Sequence, residues 1–222
     1  MTSGMGLVIR NVVFDLDGTL IDSRPGIESC LRQALEIVEP GQELPPVETL
    51  IGPPVREMIT SLLPGRDAGV IVAAETAFRG CYDEGGWRMT EVYEGANEML
   101  RRLADAGVSL FVLTNKPAGP TRVILDSLGW HDRFDAVLCQ DSVTPPFYDK
   151  ATAMEHLLEQ WGLDRARTLM VGDSADDARA AFSSGIAFAA ACWGYGPAAT
   201  EPGVECLLAS LVDLPALVGL DG

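Results

Sequence analysis

Beyond residue 94, the chain alternates short apolar segments with segments of helical periodicity, and this alternation limits the fold more than any other feature. Four apolar segments of four to six residues predict buried strands: residues 108–113, 136–139, 168–171 and 186–191. Several of the helical segments around them end at a glycine, a common helix terminator. Because strands separated by helices pair in parallel, we predict an α/β fold with a Rossmann-like parallel sheet as its core.

The first predicted strand leads directly into two carboxylates. Apolar residues 7–9 and 12–14 precede the segment Asp15-Leu16-Asp17-Gly18-Thr19-Leu20-Ile21-Asp22. Two acids placed two positions apart at the end of a buried strand repel each other and lose hydration, so they need a cation or a shared proton. Asp15 and Asp17 are therefore the first candidates for chemistry.

Residues 23–93 interrupt the α/β pattern. Their periodicity predicts helices over 25–38, 54–63 and 68–82, and no strand is predicted between Leu20 and Tyr93. We therefore predict two domains. Residues 1–22 and 94–222 form the α/β core, and residues 23–93 form a small all-helical cap domain inserted into it.

Polar side chains follow four of the predicted strands. The four positions are Asp15 with Asp17, Thr114 with Asn115, Gln140 with Asp141, and Gly172 with Asp173. In open parallel sheets, ligands bind beyond the carboxyl ends of the strands. Three of these ends fit one site, in which Asp15, Asp17 and Asp173 form an oxygen-rich cluster suited to Mg²⁺. Thr114 and Asn115 would add neutral hydrogen bonds.

Such a site also needs a cationic side chain, and Lys150 is our first choice. It lies at the start of a predicted helix, where the helix dipole favours anions over cations. A lysine in that position needs a partner such as a phosphate or a carboxylate. Lys116 is the alternative lysine for the same role, and the sequence leaves this choice open.

Charge and composition disfavour several classes of partner. A formal net charge of −16 argues against binding to nucleic acids or to anionic membrane surfaces. The N-terminus lacks a signal-peptide pattern, and no apolar run reaches the ~18 residues that span a bilayer. We predict a cytoplasmic protein without nucleic-acid or membrane partners, as a monomer or a homodimer. The five scattered cysteines predict reduced thiols.

These motifs resemble those of the haloacid dehalogenase-like superfamily, and in particular its phosphoglycolate phosphatase branch. The first, second and fourth motifs and a cap segment are found in Asp15 to Ser23, Thr114-Asn115-Lys116-Pro117, Gly172-Asp173-Ser174-x-x-Asp177 and Ile51-Gly52-Pro53-Pro54. The third motif departs from the branch, because no proline follows Lys150. The resemblance spans nearly the whole chain, in the expected order.

The resemblance implies a Mg²⁺-dependent phosphomonoesterase. Asp15 would be the nucleophile that forms an aspartyl phosphate, and Asp17 would be the general acid and then the general base. Asp15, the backbone carbonyl of Asp17, and Asp173 would hold Mg²⁺. Asp177 would be a further carboxylate of the metal site.

The resemblance also implies how the substrate is bound. Thr114, Asn115 and Lys150 would bind the phosphate of a small-molecule phosphomonoester, with 2-phosphoglycolate as one candidate. The helical cap would close over the site and select the substrate. Two alternatives are left open: a phosphotransferase or sugar-phosphate mutase of the same superfamily, and a non-catalytic protein that binds a phosphorylated ligand.

Overall fold

The computed structural model describes residues 9–204 and 206–220, and its centre is a parallel sheet. Residues 7 and 8 of the predicted first strand lie outside the described residues. Six strands form the sheet in the spatial order β5-β4-β1-β6-β7-β8, and two further strands form a separate ribbon. The strands are β1 (Asn11–Phe14), β2 (Ile21–Asp22), β3 (Glu91–Val92), β4 (Ser109–Thr114), β5 (Ala136–Cys139), β6 (Thr168–Gly172), β7 (Ala187–Ala191) and β8 (Cys206–Leu208).

Helices follow the strands as the periodicity predicted, with ends that shift by one or two residues. They are α1 (Arg24–Val38), α2 (Val55–Leu62), α3 (Ala68–Glu84), α4 (Ala96–Asp105), α5 (Ala118–Ser127), α6 (Lys150–Trp161), α7 (Ala175–Ser183) and α8 (Leu214–Leu217). The predicted α/β class and parallel sheet are confirmed. The sequence analysis did not predict β8 or α8, whose three and four residues are too short to show a period.

The sheet is covered on both faces, which explains why its strands are apolar throughout. In β1, Val12 and Phe14 point into one cluster with α4, while Val13 points into the other cluster with α6 and α7. Successive side chains of a strand alternate between its two faces, so a strand with helices on both sides needs apolar residues at every position. This double burial holds the strand ends in fixed positions.

Helices α1, α2 and α3 pack around a third apolar cluster of their own, and we call them the cap helices. Ile27, Ile59 and Phe78 are buried in this cluster. Cys30 on α1 and Cys81 on α3 form a disulfide bond with an S–S distance of 2.01 Å. The prediction of reduced thiols is therefore wrong for this pair, because helix packing brings together two cysteines that are 51 positions apart.

A two-stranded ribbon lies where the chain enters and leaves the cap helices. Strand β2 pairs antiparallel with β3, so that Ile21 lies opposite Val92 and Asp22 opposite Glu91. The prediction of no strand between Leu20 and Tyr93 is therefore wrong. Two residues per strand cannot show alternation, and these strands become visible only where the segments before and after the cap helices pair in the structure.

Among the helices described, none combines the length and the apolar character that a membrane crossing requires.

Candidate active site

The register of the sheet brings the polar strand ends together. Phe14 of β1 lies opposite Val112 of β4 and Val171 of β6. The residues that follow these positions therefore leave the sheet along its carboxyl edge, where parallel α/β proteins bind ligands. Asp15 comes directly after Phe14, and Asp173 follows the end of β6.

Three carboxylates form a buried cluster at this edge. One oxygen each of Asp15, Asp173 and Asp177 lies within 4.8 Å of the other two. All three residues are buried, and the pKa of Asp15 is raised well above its ordinary range by burial and by the carboxylates of Asp177 and Asp173. Burial, and after it the carboxylate of Asp177, raises the pKa of Asp173 to about 6. The cluster thus concentrates negative charge that a cation would relieve.

Lys150 supplies a cation to this cluster. Its Nζ lies 2.7 Å from Asp15 Oδ1 and 2.6 Å from Asp177 Oδ1. The residue is the first of α6, and Asp149 caps this helix by accepting a hydrogen bond from the Thr152 amide. Burial opposes the charge of Lys150, but Asp15 and Asp177 outweigh it and raise its pKa. The charge that the helix dipole disfavours is therefore compensated by two carboxylates.

The side chain of Asp17 lies outside the cluster of three carboxylates. Its Oδ1 accepts a hydrogen bond from Lys116 Nζ at 2.8 Å and another from the Ser23 hydroxyl. The two lysines are thus divided between the two acids of the first motif, Lys150 with Asp15 and Lys116 with Asp17. The pKa of Lys116 is raised as well, because Asp17 outweighs the effect of burial.

The two polar residues after β4 have different surroundings. Thr114 is buried, and its Oγ1 accepts a hydrogen bond from the Lys116 amide at 3.1 Å. The Asn115 side-chain amide donates to the Gly52 carbonyl at 2.8 Å. Asn115 therefore links the core to the segment before α2. Asp141, the polar residue after β5, accepts a hydrogen bond from the Ala118 amide and so caps α5.

A loop after β7 holds Asp173 in place, and the sequence analysis missed its role. Asp173 Oδ2 accepts hydrogen bonds from the amides of Tyr195 at 2.7 Å and Gly196 at 3.1 Å. A side chain at Gly194 or at Gly18 would collide with the Asp173 carboxylate. The sequence signal was the pair of glycines around Tyr195, which permits this close approach of the backbone.

The Tyr195 side chain connects the same loop to the start of the cap helices. Its hydroxyl donates to Asp22 Oδ1 at 2.7 Å and accepts a hydrogen bond from the Ser23 amide at 2.9 Å. Arg24 completes this group through an ion pair with Asp22 at 3.1 Å. Burial and the hydrogen bond to Asp22 raise the pKa of Tyr195. One residue thus contacts both the acid cluster and the junction with the cap helices.

A cavity separates these polar groups from the cap helices. The core side of its lining includes Asp15, Asp17, Thr114 and Lys116. The opposite side is formed by residues 27, 51–53, 55, 58, 78, 79, 82 and 83. Three of the candidate catalytic groups, Asp15, Asp17 and Thr114, therefore face a partly open space of the kind in which small substrates bind.

Sequence comparison identifies known proteins that are similar to this chain. The sequence model of the haloacid dehalogenase-like hydrolase family matches residues 12–191. The phosphoglycolate phosphatase of Yersinia pestis is 32% identical over 221 residues, which cover 96% of this chain and 94% of that protein. The tyrosine-protein kinase PtkA of Mycobacterium tuberculosis is 35% identical over 188 residues, or 84% of this chain. The chain spans only 63% of the length of that kinase.

Comparison with solved structures identifies proteins that have a similar fold. The structure of Mycobacterium tuberculosis PtkA has a TM-score of 0.79 and 31% identity, and the match covers 96% of this chain and 99% of that one. A haloacid dehalogenase-like hydrolase of Streptococcus pneumoniae has a TM-score of 0.82 at 22% identity, covering 94% of this chain and 98% of that one. This chain belongs to the haloacid dehalogenase-like hydrolase family.

Proposed function

We propose that the protein is a Mg²⁺-dependent phosphomonoesterase that hydrolyses a small phosphorylated metabolite through an aspartyl phosphate. The observation that carries the proposal is the cluster of Asp15, Asp173 and Asp177, with Lys150 Nζ at 2.7 Å from Asp15. The similarity to phosphoglycolate phosphatases supports the same activity. Those relatives make 2-phosphoglycolate one candidate substrate.

Asp15 is the proposed nucleophile. It lies at the carboxyl end of a central strand and lines the cavity, so one of its oxygens can approach a phosphorus atom. Lys150 offsets the charge of the Asp15 carboxylate and so reduces its repulsion of a phosphate dianion. Attack of the Asp15 oxygen on phosphorus would form the aspartyl phosphate and release the alcohol.

Asp17 is the proposed acid and base. In the first half of the reaction it would protonate the leaving oxygen, and in the second it would take a proton from the attacking water. Lys116 and the Ser23 hydroxyl hold its carboxylate in the cavity wall. Thr114 and Lys150 are proposed to bind phosphoryl oxygens. Asn115 was predicted to join them, and we now propose that it acts mainly through its hydrogen bond to Gly52.

The donor set fits Mg²⁺, which binds to a few carboxylate oxygens and to substrate phosphate. Asp15 and Asp173 would hold the ion together with the Asp17 backbone carbonyl, and Asp177 would support them directly or through water. Bound Mg²⁺ would offset the charge of the carboxylates and polarise the phosphoryl group. The Tyr195 and Gly196 amides hold the Asp173 carboxylate in position through two hydrogen bonds.

We also propose the division into a core of residues 1–22 and 94–222 and a cap of residues 23–93. The separate apolar cluster of the cap helices supports this division. The cap would close over the cavity and exclude water from the aspartyl phosphate until hydrolysis.

A phosphotransferase is the second candidate, because one relative at 35% identity is described as a tyrosine-protein kinase. In that case the same aspartate would pass its phosphoryl group to an acceptor other than water. The two candidates differ in their product: hydrolysis releases inorganic phosphate, whereas transfer yields a new phosphate ester or, from a kinase, a phosphotyrosine and a nucleoside diphosphate.

The decisive experiment measures phosphate release from a panel of phosphomonoesters with Mg²⁺ and with EDTA. Asp15→Asn is the test variant, and Asp132→Asn is its matched control, because Asp132 is an exposed acid that, among the described residues, forms an ion pair with its neighbour His131 alone. We expect Mg²⁺-dependent release that Asp15→Asn lowers by more than about a thousandfold and that Asp132→Asn leaves unchanged.

Three other results would change the conclusion. Full activity in Asp15→Asn would show that Asp15 is not the nucleophile. Phosphate transfer to an added acceptor, with little free phosphate, would favour the phosphotransferase. Tight binding of a phosphorylated ligand without turnover at saturating Mg²⁺ would favour a non-catalytic binding protein.

A further inference from the structure

The cavity wall formed by the cap helices is apolar where the leaving group of a substrate would lie. Six of its residues have aliphatic, thioether or aromatic side chains: Ile27, Ile51, Val55, Met58, Phe78 and Tyr82. Phe78 and Tyr82 are buried, and their rings stack with centroids 5.6 Å apart and planes inclined by 13°. Most polar side chains of the cavity lie on the core side, where the phosphate would bind, and the cap side adds Arg79, Asp83 and the Tyr82 hydroxyl.

The cations that line the cavity already have carboxylate partners. Lys116 Nζ lies 2.8 Å from Asp17 and 4.9 Å from the centre of the Tyr82 ring. Arg79 is 45% exposed and pairs with Glu75 at 2.9 Å. Lys116 is therefore already paired with Asp17, and Arg79 is the one described lining cation that could meet a second anionic group of a substrate. Asp83, which also lines the cavity, would repel such a group.

Two other arginines of the cap helices do not change this balance. Arg24 is paired with Asp22, and Arg56, at 3.4 Å, shares the Glu75 carboxylate with Arg79. Neither is part of the described lining of the cavity. Arg56 and Arg79 are matched in number by the carboxylates of Glu75 and Asp83, so the cap side has no net positive charge for a second anionic group. The rest of the space favours apolar surface.

We infer that the preferred substrate is a phosphomonoester whose leaving group is uncharged and apolar, with an aromatic ring as the best fit to the Phe78 and Tyr82 wall. This inference rests on the proposed phosphatase function and narrows its substrate class. It predicts that 2-phosphoglycolate, whose second anionic group would meet no net positive charge on the cap side of the cavity, is a poor substrate.

The test compares esters whose leaving alcohols have similar intrinsic reactivity. The substrates are benzyl phosphate, ethyl phosphate and 2-phosphoglycolate, and the readout is kcat/KM for phosphate release with Mg²⁺. We expect benzyl phosphate to exceed ethyl phosphate by about 10- to 100-fold, since burial of a ring contributes that much to binding. We expect 2-phosphoglycolate to fall below ethyl phosphate.

A charge introduced into the apolar wall should reverse the preference. In Val55→Lys, the ratio of kcat/KM for 2-phosphoglycolate to that for ethyl phosphate should rise by about tenfold, and the advantage of benzyl phosphate should shrink. Val72→Lys is the matched control, because Val72 is 47% exposed on α3 and does not line the cavity. It should leave both ratios unchanged.

Binding to the Asp15→Asn variant separates this inference from the proposed chemistry. Calorimetry with benzyl phosphate and 2-phosphoglycolate measures selectivity without turnover, and tighter binding of benzyl phosphate supports the inference even if no ester is hydrolysed. If no ester is hydrolysed, the proposed function fails. If 2-phosphoglycolate is hydrolysed better than benzyl phosphate, the inference on substrate class is overturned and the phosphatase function stands. If 2-phosphoglycolate is bound better and no ester is hydrolysed, both are overturned.

Discussion

Lys150 Nζ lies 2.7 Å from Asp15 Oδ1, although the two residues are 135 positions apart in the sequence. The same ammonium group contacts Asp177, and all three side chains are buried. A buried ion pair adds little net stability by itself, because both charges lose hydration. Removal of the lysine alone, however, leaves the buried carboxylates without a compensating charge.

We therefore expect Lys150→Met to lower the free energy of unfolding of the metal-free protein by about 3–5 kcal/mol. Mg²⁺ should recover part of this loss, because it would take over the compensation of the carboxylates. Denaturant unfolding with and without Mg²⁺ measures both effects.

Arg101→Met is the matched control for this variant. Arg101 also contacts two carboxylates, those of Glu98 and Asp105, at 2.6 Å each, but it is 54% exposed. Its replacement should change stability little, because solvent already screens the pair. Equal losses of unfolding free energy in the two variants would show that burial does not increase the contribution of the Lys150 ion pairs to stability.

Asp17→Asn should slow the reaction to a degree that depends on the leaving group. An alkoxide needs a proton as it leaves, whereas a nitrophenolate does not. We expect kcat to fall by about 10²–10⁴ for alkyl phosphates, and much less for the formation of the aspartyl phosphate from 4-nitrophenyl phosphate. Pre-steady-state kinetics with both esters measures this difference. Equal losses for the two esters would exclude Asp17 as the acid.

Mg²⁺ should bind more tightly as the pH rises through about 6, the pKa of Asp173. Burial raises this pKa above its ordinary value of 3.8, so the folded metal-free protein holds the proton more tightly than the unfolded chain. The stability that this proton contributes is present below pH 3.8 and is lost as the pH rises through 6. Mg²⁺ must displace the proton, so its apparent affinity should fall by about tenfold per pH unit below this value.

Thermal unfolding at pH 5 and pH 7.5, with and without Mg²⁺, tests this prediction. The increase in Tm caused by Mg²⁺ should be larger at pH 7.5. Asp173→Asn should lose most of the increase at both pH values, which separates the metal effect from other titrations. An equal increase at both pH values would contradict the prediction.

Tyr195→Phe should weaken the junction with the cap helices. The variant loses the hydroxyl that donates to Asp22 and accepts a hydrogen bond from the Ser23 amide, at a cost of about 1–3 kcal/mol. The amide of residue 195 still donates to Asp173, so Mg²⁺ affinity should change little. Thermal unfolding and Mg²⁺ titration test the two statements, with Tyr148→Phe as a control at a 92% exposed position.

Reduction of the Cys30–Cys81 bond should destabilise the cap helices. The bond links residues separated by 51 positions, and its loss would cost about 2–4 kcal/mol by relaxing a constraint on the unfolded chain. Dithiothreitol should therefore lower the Tm of the wild-type protein. It should have no effect on the Cys30→Ala, Cys81→Ala double variant, whose Tm should already be low. Unchanged stability of the reduced wild-type protein would contradict the prediction.

Much of the fold could be predicted because its elements are long enough to show a period. The strands around Val112 and Val171 are continuous apolar runs, and the helices between them are amphipathic. The ribbon of β2 and β3 and the final strand β8 were missed, because two or three residues carry no periodic signal. Their existence depends on partners far away along the chain.

The sequence by itself determined which residue types stand at the strand ends, because a buried strand that is followed directly by Asp15 or Asp173 must bring that carboxylate to the edge of the sheet. Only the tertiary structure decided the partners of these groups. It assigned Lys150 to Asp15 and Lys116 to Asp17, joined Cys30 to Cys81, and placed the Tyr195 amide on Asp173. These contacts join residues from different elements, and their geometry follows from how helices and loops pack on the sheet rather than from any local pattern.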